Sequence, residues 1–257
     1  YLMLVPVLAY FIIFQYGPLY GLQIAFKNYR PVLGFWNSPW VGFEHFAEFF
    51  GSFFFWRLLK NTLLLSFYSL IFYFPCGIIL ALLLNELSSQ KFKRAVQTIT
   101  YMPHFISLVV IVGIMFDFFA RDGLVNQLLG MFGVEPIPFM RDANWFRTMY
   151  IGSEIWQSIG WNSIIYLAAI SNVDPALYEA AKMDGAGRFK QMLHITIPGI
   201  LPTISILLIL FIGNFMSVVT EKILLMYSPV TYETADVIQT YVFRKGIIEF
   251  NYSYSAA

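Results

Sequence analysis

The sequence predicts an α-helical integral membrane protein. Of its 257 residues, 58% are hydrophobic and only 12% are charged, and the mean hydropathy is +0.66, which lies outside the range of soluble domains. A membrane-spanning helix needs roughly 20 mostly apolar residues. Five stretches have that length: residues 2–26, 58–85, 99–119, 149–170 and 199–220. The predicted fold class is therefore all-α, with at least five spans.

The two ends of the chain predict incomplete spans. The first stretch, residues 2–26, lacks the basic start and small-residue cleavage site of a signal peptide, so it is expected to be a span within which the sequence begins. Residues 221–252 carry seven charged side chains, too many for a lipid-facing helix, and predict a loop with a surface helix near 237–245. The apolar residues 252–257 are then expected to start a sixth span.

The positive charges indicate which loops face the cytoplasm. Alternating spans place loops 87–98 and 171–198 on one side and loops 27–57, 120–148 and 221–252 on the other. Lysine and arginine are denser in the first pair of loops, which predicts that this pair is cytoplasmic and that the other three are extracytoplasmic. No repeat or flexible linker divides the chain, so one transmembrane domain, residues 1–257, is expected.

Several other classes of protein are disfavoured. The net charge is +1, with scattered basic residues, which gives no indication of nucleic-acid binding. Cys76 is the single cysteine, and His45, His104 and His194 lie far apart, so neither an intrachain disulfide nor a metal site is expected. The chain has no phosphate-binding G-x-x-x-x-G-K-[ST] loop and no pattern of catalytic residues.

One polar segment, residues 171–202, interrupts the apolar runs. Asp174 followed by proline is a favourable helix start, and it predicts a helix from Pro175 to about Asp184. Gly185 can adopt the left-handed conformation that ends a helix, after which a second short helix is expected over residues 187–194. Small side chains on the first helix permit close approach by another protein's groove.

This segment resembles the EAA loop of permease subunits in bacterial ABC importers. The residues that carry the resemblance are Glu179, Ala180, Ala181, Gly185, Ile195, Ile197 and Pro198. The family usually has leucine where this chain has Ile197. The flanking residues Asp184, Ala186, Phe189 and Pro202 resemble the carbohydrate-importer branch, and residues 14–41 resemble the oligosaccharide subgroup that includes alginate and pectin-fragment importers.

The resemblance implies a type I ABC importer transmembrane domain, with five complete spans and the start of a sixth, in the bacterial inner (plasma) membrane. Its partners would be a second homologous permease in a heterodimer, a cytoplasmic ABC ATPase dimer that holds ATP and Mg²⁺, an extracytoplasmic solute-binding protein, and an oligosaccharide. The chain itself would hold no cofactor. The residues implied to contact the ATPase are Glu179, Ala180, Ala181, Asp184, Gly185, Ala186, Phe189, Ile195 and Pro198.

Polar residues at helical spacing within three spans indicate a substrate path. They are Glu154, Gln157, Ser158, Trp161 and Asn162 in the fourth span, Asn214, Ser217 and Glu221 in the fifth, and Thr62, Ser66, Ser69 and Tyr73 in the second. Amides and carboxylates bind sugar hydroxyls, and aromatic rings stack on sugar rings. The resemblance places the sugar pocket near mid-membrane and favours Glu154, Gln157, Ser158, Asn214 and Ser217. The alternative role of such groups is hydrogen bonding between helices.

Two other functions remain open from the residues alone. An ion-coupled secondary transporter would need a titratable residue near mid-membrane, for which Glu154 is the one candidate. A polytopic membrane enzyme would need paired carboxylates or a histidine cluster, which the sequence does not display. The aromatic loops 27–57 and 221–252 are expected either to receive the binding protein, above all through residues 230–244, or to anchor the chain at the membrane surface.

Overall fold

A computed structural model describes residues 2–257. Within that range the ordered segments are helical, apart from one isolated antiparallel bridge between Lys27 and Trp40. The prediction of an all-α protein is therefore confirmed. The chain divides into two compact units, one formed by residues 1–60 and 236–257 and the other by residues 61–235.

The main helices are, in chain order, α1 (Val5–Phe26), α2 (Glu44–Gly51), α3 (Phe55–Glu86), α4 (Gln90–Phe105), α5 (Leu108–Phe118), α6 (Leu124–Gly130), α7 (Ala143–Ser171), α8 (Pro175–Met183), α9 (Arg188–Gly213), α10 (Thr220–Met226), α11 (Ile238–Phe243) and α12 (Tyr252–Ala256). Shorter helical turns occupy Leu2–Leu4, Gly34–Asn37 and Tyr232–Ala235. Wide π turns lie at Phe11–Tyr16 in α1, Ser69–Tyr73 in α3 and Met192–Thr196 in α9, and another, Arg244–Ile248, extends α11.

Three of the described helices are long and apolar enough to cross a membrane, namely α1, α3 and α9. The pair α4 and α5 would make a fourth, although the two helices are bent by 102°. At about 1.5 Å per residue, the 29 residues of α7 are also long enough, but α7 is more polar than these helices. The count of five spans and the start of a sixth thus remains a prediction.

The bend between α4 and α5 corrects the expectation of a continuous third span over residues 99–119. The chain tightens into a 3₁₀ turn at Met102–Phe105, with Pro103 in its first turn, and leaves helical geometry at Ile106. Proline cannot donate the backbone hydrogen bond that a continuous α-helix would need at this point. The apolar composition of this stretch gave no sign of the break.

The unit of residues 61–235 is built on the packing of α3 along α7. Its buried cluster comprises Ala81, Leu82, Tyr166, Ile170 and Ile200. A Cβ added to Gly77 of α3 would lie 3.0 Å from the Cβ of Asn162 in α7. Such small residues let helices approach closely in a membrane protein. The packing of α3 on α7 fixes which polar side chains of the two helices meet.

The unit of residues 1–60 and 236–257 contains a buried carboxylate that is hydrogen-bonded by two arginines. Asp236 is fully buried and accepts hydrogen bonds from Arg244 at 2.8 Å, from Arg57 at 3.4 Å and from the Thr240 hydroxyl at 2.9 Å. A buried carboxylate requires such partners. They fix α11, which lies within the surface helix predicted for residues 237–245.

Candidate functional site

The helix α8 begins as the sequence predicts. The Asp174 carboxylate accepts a hydrogen bond from the backbone N–H of Ala176 at 2.9 Å, and Pro175 occupies the first helical position. This arrangement satisfies a free N–H group at the helix start. The helix ends at Met183, with Asp184 as its C-terminal cap.

The turn after α8 is a Schellman motif centred on Gly185. The φ angle of Gly185 is +75°, in the left-handed region that glycine adopts without steric cost. The N–H of Ala186 donates to the carbonyl of Ala181 at 2.8 Å, and the N–H of Gly185 donates to that of Lys182 at 3.0 Å; these two bonds define the motif. The Gln191 side-chain amide also donates to the Ala186 carbonyl, at 2.7 Å. The predicted glycine turn is confirmed.

The predicted end of the second helix after residue 194 is wrong. From Arg188 the chain stays helical to Gly213 as α9, passing through the π turn Met192–Thr196. Pro198 lies two residues after this turn, and a wide turn before a proline accommodates its ring and its missing donor. As a result, the second half of the loop is continuous with an apolar, membrane-length helix.

One contact holds α8 against the base of α9, and a second holds the residues just before α8 against it. The hydroxyls of Tyr178 and Thr196 are 2.9 Å apart and hydrogen-bonded. Gly199 approaches Val173 so closely that a Cβ added there would lie 2.8 Å from the valine Cγ2. Both pairs are distant in sequence, and the sequence analysis identified neither. They make α8, the turn and α9 one connected body.

The exposed face of this body combines apolar and acidic groups. Met183 is 89% exposed and Phe189 is 70% exposed, while Glu179 is exposed and forms no ion pair within residues 2–257. We call the exposed residues Leu177, Glu179, Ala180, Met183 and Phe189 the docking face. Exposed apolar side chains beside an unpaired carboxylate are typical of a surface that binds another protein.

The residues of the resemblance separate into two groups in the structure. Those at the surface are Glu179, Ala180, Asp184, Gly185, Phe189 and Pro198. Those that are half-buried are Ala181, Ala186 and Ile195. The second group packs within the loop and supports its shape, whereas the first is accessible to a partner.

The polar stripes of the second and fourth predicted spans meet each other. Three hydrogen-bonded pairs connect α3 to α7: Asn61 with Arg147 at 2.9 Å, Ser69 with Glu154 at 3.3 Å, and Tyr73 with Asn162 at 2.8 Å. We call these three pairs the polar ladder. Residue numbers rise along both helices, so α3 and α7 run in the same direction, as predicted for the second and fourth spans. The remaining members of the second-span stripe, Thr62 and Ser66, are buried.

Other residues of the α7 stripe contact the end of α4 or lie between the helices. The Gln157 amide donates to the carbonyl of Ile106 at 3.4 Å. The Trp161 ring stacks on His104 with centroids 4.5 Å apart and an interplanar angle of 5°, and Ser158 is half-buried. Hydrogen bonding between helices, the alternative role for these side chains, accounts for Glu154, Gln157 and Asn162 in this chain. Their role in a substrate path remains a prediction.

The polar stripe expected on the fifth span does not form. The helix α9 ends at Gly213 with Asn214 as its cap, and the N–H of Ser217 donates to the carbonyl of Asn214 at 2.8 Å in a turn. Glu221 belongs to the separate helix α10. Apolar residues continue past the break and conceal it, although Gly213 and Asn214 are the residue types that commonly end helices.

Lys222 is a buried cation that the sequence analysis counted only as a loop charge. It is 2% exposed. Its ammonium group donates to the carbonyl of Tyr150 at 2.9 Å and lies 4.6 Å from the centroid of the tyrosine ring. Lys222 lies outside the apolar helices; burial lowers its pKa to about 8, and the charge of Glu154 acts in the opposite direction. These interactions fasten α10 to α7.

Comparisons with known proteins agree on one family. The family described as "binding-protein-dependent transport system inner membrane component" matches residues 73–256. Protein LplB of Bacillus subtilis (strain 168) is 50% identical over 258 residues, covering 100% of this chain and 81% of LplB. The polygalacturonan/rhamnogalacturonan transport system permease protein YteP of the same organism is 48% identical, covering 100% of this chain and 80% of YteP.

The fold has a close counterpart among solved structures. A bacterial ABC transporter involved in the import of the acidic polysaccharide alginate contains a chain that superposes with a TM-score of 0.93 and 46% identity, covering 100% of this chain and 86% of that one. A bacterial alginate ABC transporter in complex with an alginate pentasaccharide-bound periplasmic protein contains a chain that superposes with a TM-score of 0.93 and 46% identity, covering 100% of this chain and 85% of that one. The chain belongs to the family of binding-protein-dependent transport system inner membrane components.

Proposed function

We propose that this chain is one of two permease subunits of an ATP-driven importer of acidic oligosaccharides. The observation that carries the proposal is the docking face, presented on a glycine turn that is rigidly continuous with an apolar, membrane-length helix. Family membership confirms the predicted inner-membrane location and the assignment as a transport subunit rather than an enzyme. A binding protein, a second permease and an ATPase complete the transporter.

The relatives support an acidic sugar as the substrate. The similar structure belongs to an importer of the acidic polysaccharide alginate, and the relative YteP is named for polygalacturonan and rhamnogalacturonan. These polymers share uronate residues, which carry a carboxylate on the sugar ring. An oligosaccharide built from uronates is therefore the proposed cargo.

The proposed mechanism is alternating access driven from the docking face. The ATPase would receive α8 in a groove, with Glu179 paired to a basic side chain there. When the ATPase dimer closes, it would draw α8 toward the same element of the second permease. Because Tyr178 fastens α8 to α9 and Val173 fastens the segment before α8 to α9, this movement would rotate α9 and open the path to the outside. An ion-coupled carrier would not need such a surface.

Replacement of Glu179 tests this proposal. Glu179→Gln removes the charge from an exposed side chain that has no partner within the described chain, so the permease should fold normally. Loss of one partner from an interfacial charge pair costs roughly 2 kcal/mol or more, which predicts a loss of at least about tenfold in affinity for the ATPase. Co-purification of the ATPase with the permeases, and ATPase stimulation by the sugar-loaded binding protein, would report this loss.

Glu135→Gln is the matched control. Glu135 is also exposed and lacks an ion pair in the structure, but it lies in the loop predicted to face outward. Its replacement should leave ATPase binding unchanged. If Glu179→Gln behaves like this control in both assays, the docking face is not the contact with the ATPase.

A further inference from the structure

A cavity lies beside the Asn61–Arg147 pair of the polar ladder. It has a volume of about 440 Å³ and lies between α3 and the beginning of α7. Tyr68 and Phe72 line it from α3, and Asn144, Arg147 and Thr148 line it from α7. Arg147 is the only charged residue in the lining. The volume falls within the range of roughly 300–1,000 Å³ typical of small-molecule sites.

The guanidinium of Arg147 has no counter-charge in the described chain. It is half-buried, and its Nη2 donates to the Asn61 side-chain oxygen at 2.9 Å. Its Nε is buried and has no hydrogen-bond partner, and the ion pairs within residues 2–257 do not include it. Arginine is seldom buried without an acidic partner, and an unsatisfied buried donor calls for an explanation.

The orientation of the Arg147 side chain is fixed by Asn61. The Asn61 amide donates to the backbone carbonyl of Glu233 at 2.9 Å, which turns the Asn61 oxygen toward the guanidinium. With one terminal nitrogen held in this way, the remaining donors are set in place before any ligand arrives. A planar guanidinium with a fixed orientation suits a carboxylate, which it binds with two parallel hydrogen bonds.

We infer that this cavity binds one uronate residue of the transported oligosaccharide, with Arg147 as the partner of its carboxylate. The inference rests on the proposed function, and it names the part of the chain that selects an acidic sugar. The rings of Tyr68 and Phe72 offer apolar faces for the sugar ring, and the exposed amide of Asn144 matches its hydroxyls. Arg147 is the fifth residue of α7, at the end predicted to face the outside, where the sugar enters.

The cavity lies beside the predicted path along α7, and Arg147 connects the two. Arg147 and Glu154 are seven residues apart, which places them on nearly the same face and about 10 Å apart along the helix axis. The polar ladder would therefore begin with a cation that binds the acidic group and continue with the pairs Ser69–Glu154 and Tyr73–Asn162, whose side chains are hydrogen-bonded to each other. A uronate chain would be held at its first position and would be free to move past the others.

Uptake by the complete transporter tests the inference. The wild-type complex, with its partner permease, ATPase and binding protein, is compared in proteoliposomes with Arg147→Gln, using a galacturonate trisaccharide and the neutral galactose trisaccharide of the same linkage. Loss of a charge-assisted contact should lower the ratio of acidic to neutral uptake at least about tenfold. Arg147→Lys keeps the charge but loses the paired donors of the guanidinium, and it should retain only part of the preference.

A second pair of variants serves if Arg147→Gln does not assemble or if the neutral sugar is not imported. Thr148 is exposed at the rim of the same cavity. Thr148→Glu would place a carboxylate beside the intact guanidinium and should reduce acidic uptake at least about tenfold more than the equally large Thr148→Gln.

Equal uptake by the two Thr148 variants, or an Arg147→Gln loss that is the same for both sugars, would overturn the inference. A loss that occurs only in anionic lipid would also overturn it, because the guanidinium would then bind a lipid headgroup. If the wild-type complex imports neither the galacturonate trisaccharide nor any other uronate oligosaccharide, the proposed cargo is wrong, and the proposed uronate site is wrong too. If the wild-type complex does import such sugars, failure of the variants concerns this site alone.

Discussion

Replacement of Gly185 by serine should uncouple the permease from the ATPase without disturbing its membrane-embedded part. Gly185 has a φ angle of +75°, and no atom lies within 4 Å of a Cβ added there. The cost is therefore purely conformational, roughly 1–2 kcal/mol for a non-glycine residue in the left-handed region. This energy corresponds to a factor of roughly 5–30 in the population of the native turn. The affinity for the ATPase should fall by up to the same factor.

Gly187→Ser provides a control with the same added atoms. Gly187 lies two residues further on, with φ −69° and ψ 166°, a conformation that serine adopts readily and favours at a helix start. No atom lies within 4 Å of its added Cβ. The assay is uptake and sugar-stimulated ATPase activity of the reconstituted complex at a series of ATPase subunit concentrations. Because the defect is one of affinity, excess ATPase should restore activity to Gly185→Ser.

The outcome that contradicts this reasoning is equal behaviour of the two serine variants. If uptake persists in Gly185→Ser with ATPase assembly unaffected, the turn does not transmit the motion and the importer mechanism proposed for this loop is wrong.

Two further predictions concern the packing of α7. Lys222 is buried, donates to the Tyr150 carbonyl and lies over the tyrosine ring, and a hydrogen bond from a charged group contributes roughly 1.5–3 kcal/mol; Lys222→Met should therefore lower the thermal stability of the purified complex, and an unchanged unfolding temperature would contradict the attachment of α10 to α7. A Cβ at Gly160 would overlap the backbone carbonyl of Thr100, so Gly160→Ala should destabilise the chain by roughly 1–3 kcal/mol, whereas Gly152→Ala, which meets no atom within 4 Å, should not; equal unfolding temperatures would exclude the close helix crossing.

The features that could be predicted from the sequence are those with a local cause. Asp174 and the proline after it cap a helix through a bond two residues away, and Gly185 ends that helix through bonds three to five residues back. Such contacts depend on residue types at fixed spacing, so the order of helix, turn and helix was recoverable. Prediction failed at the ends of α4 and α9, where apolar residues continue past the helix end and conceal it.

The partners of the polar side chains could not be predicted. Arg147 and Asn61 are 86 residues apart and Lys222 and Tyr150 are 72 apart, so no spacing rule connects them. The sequence places Glu154 on a polar face, but the rotation of α7 against α3 decides whether that face lines a path or meets another helix. The same packing hides Lys222 and leaves Arg147 beside a cavity without a counter-charge.

The sequence by itself thus determined the membrane class, the apolar runs and the shape of the loop between α7 and α9, because hydropathy and helix capping act over a few residues. The tertiary structure alone decided which polar groups have partners inside the chain and which lie beside a cavity without a counter-charge, because side chains from helices far apart in sequence come together only when those helices pack.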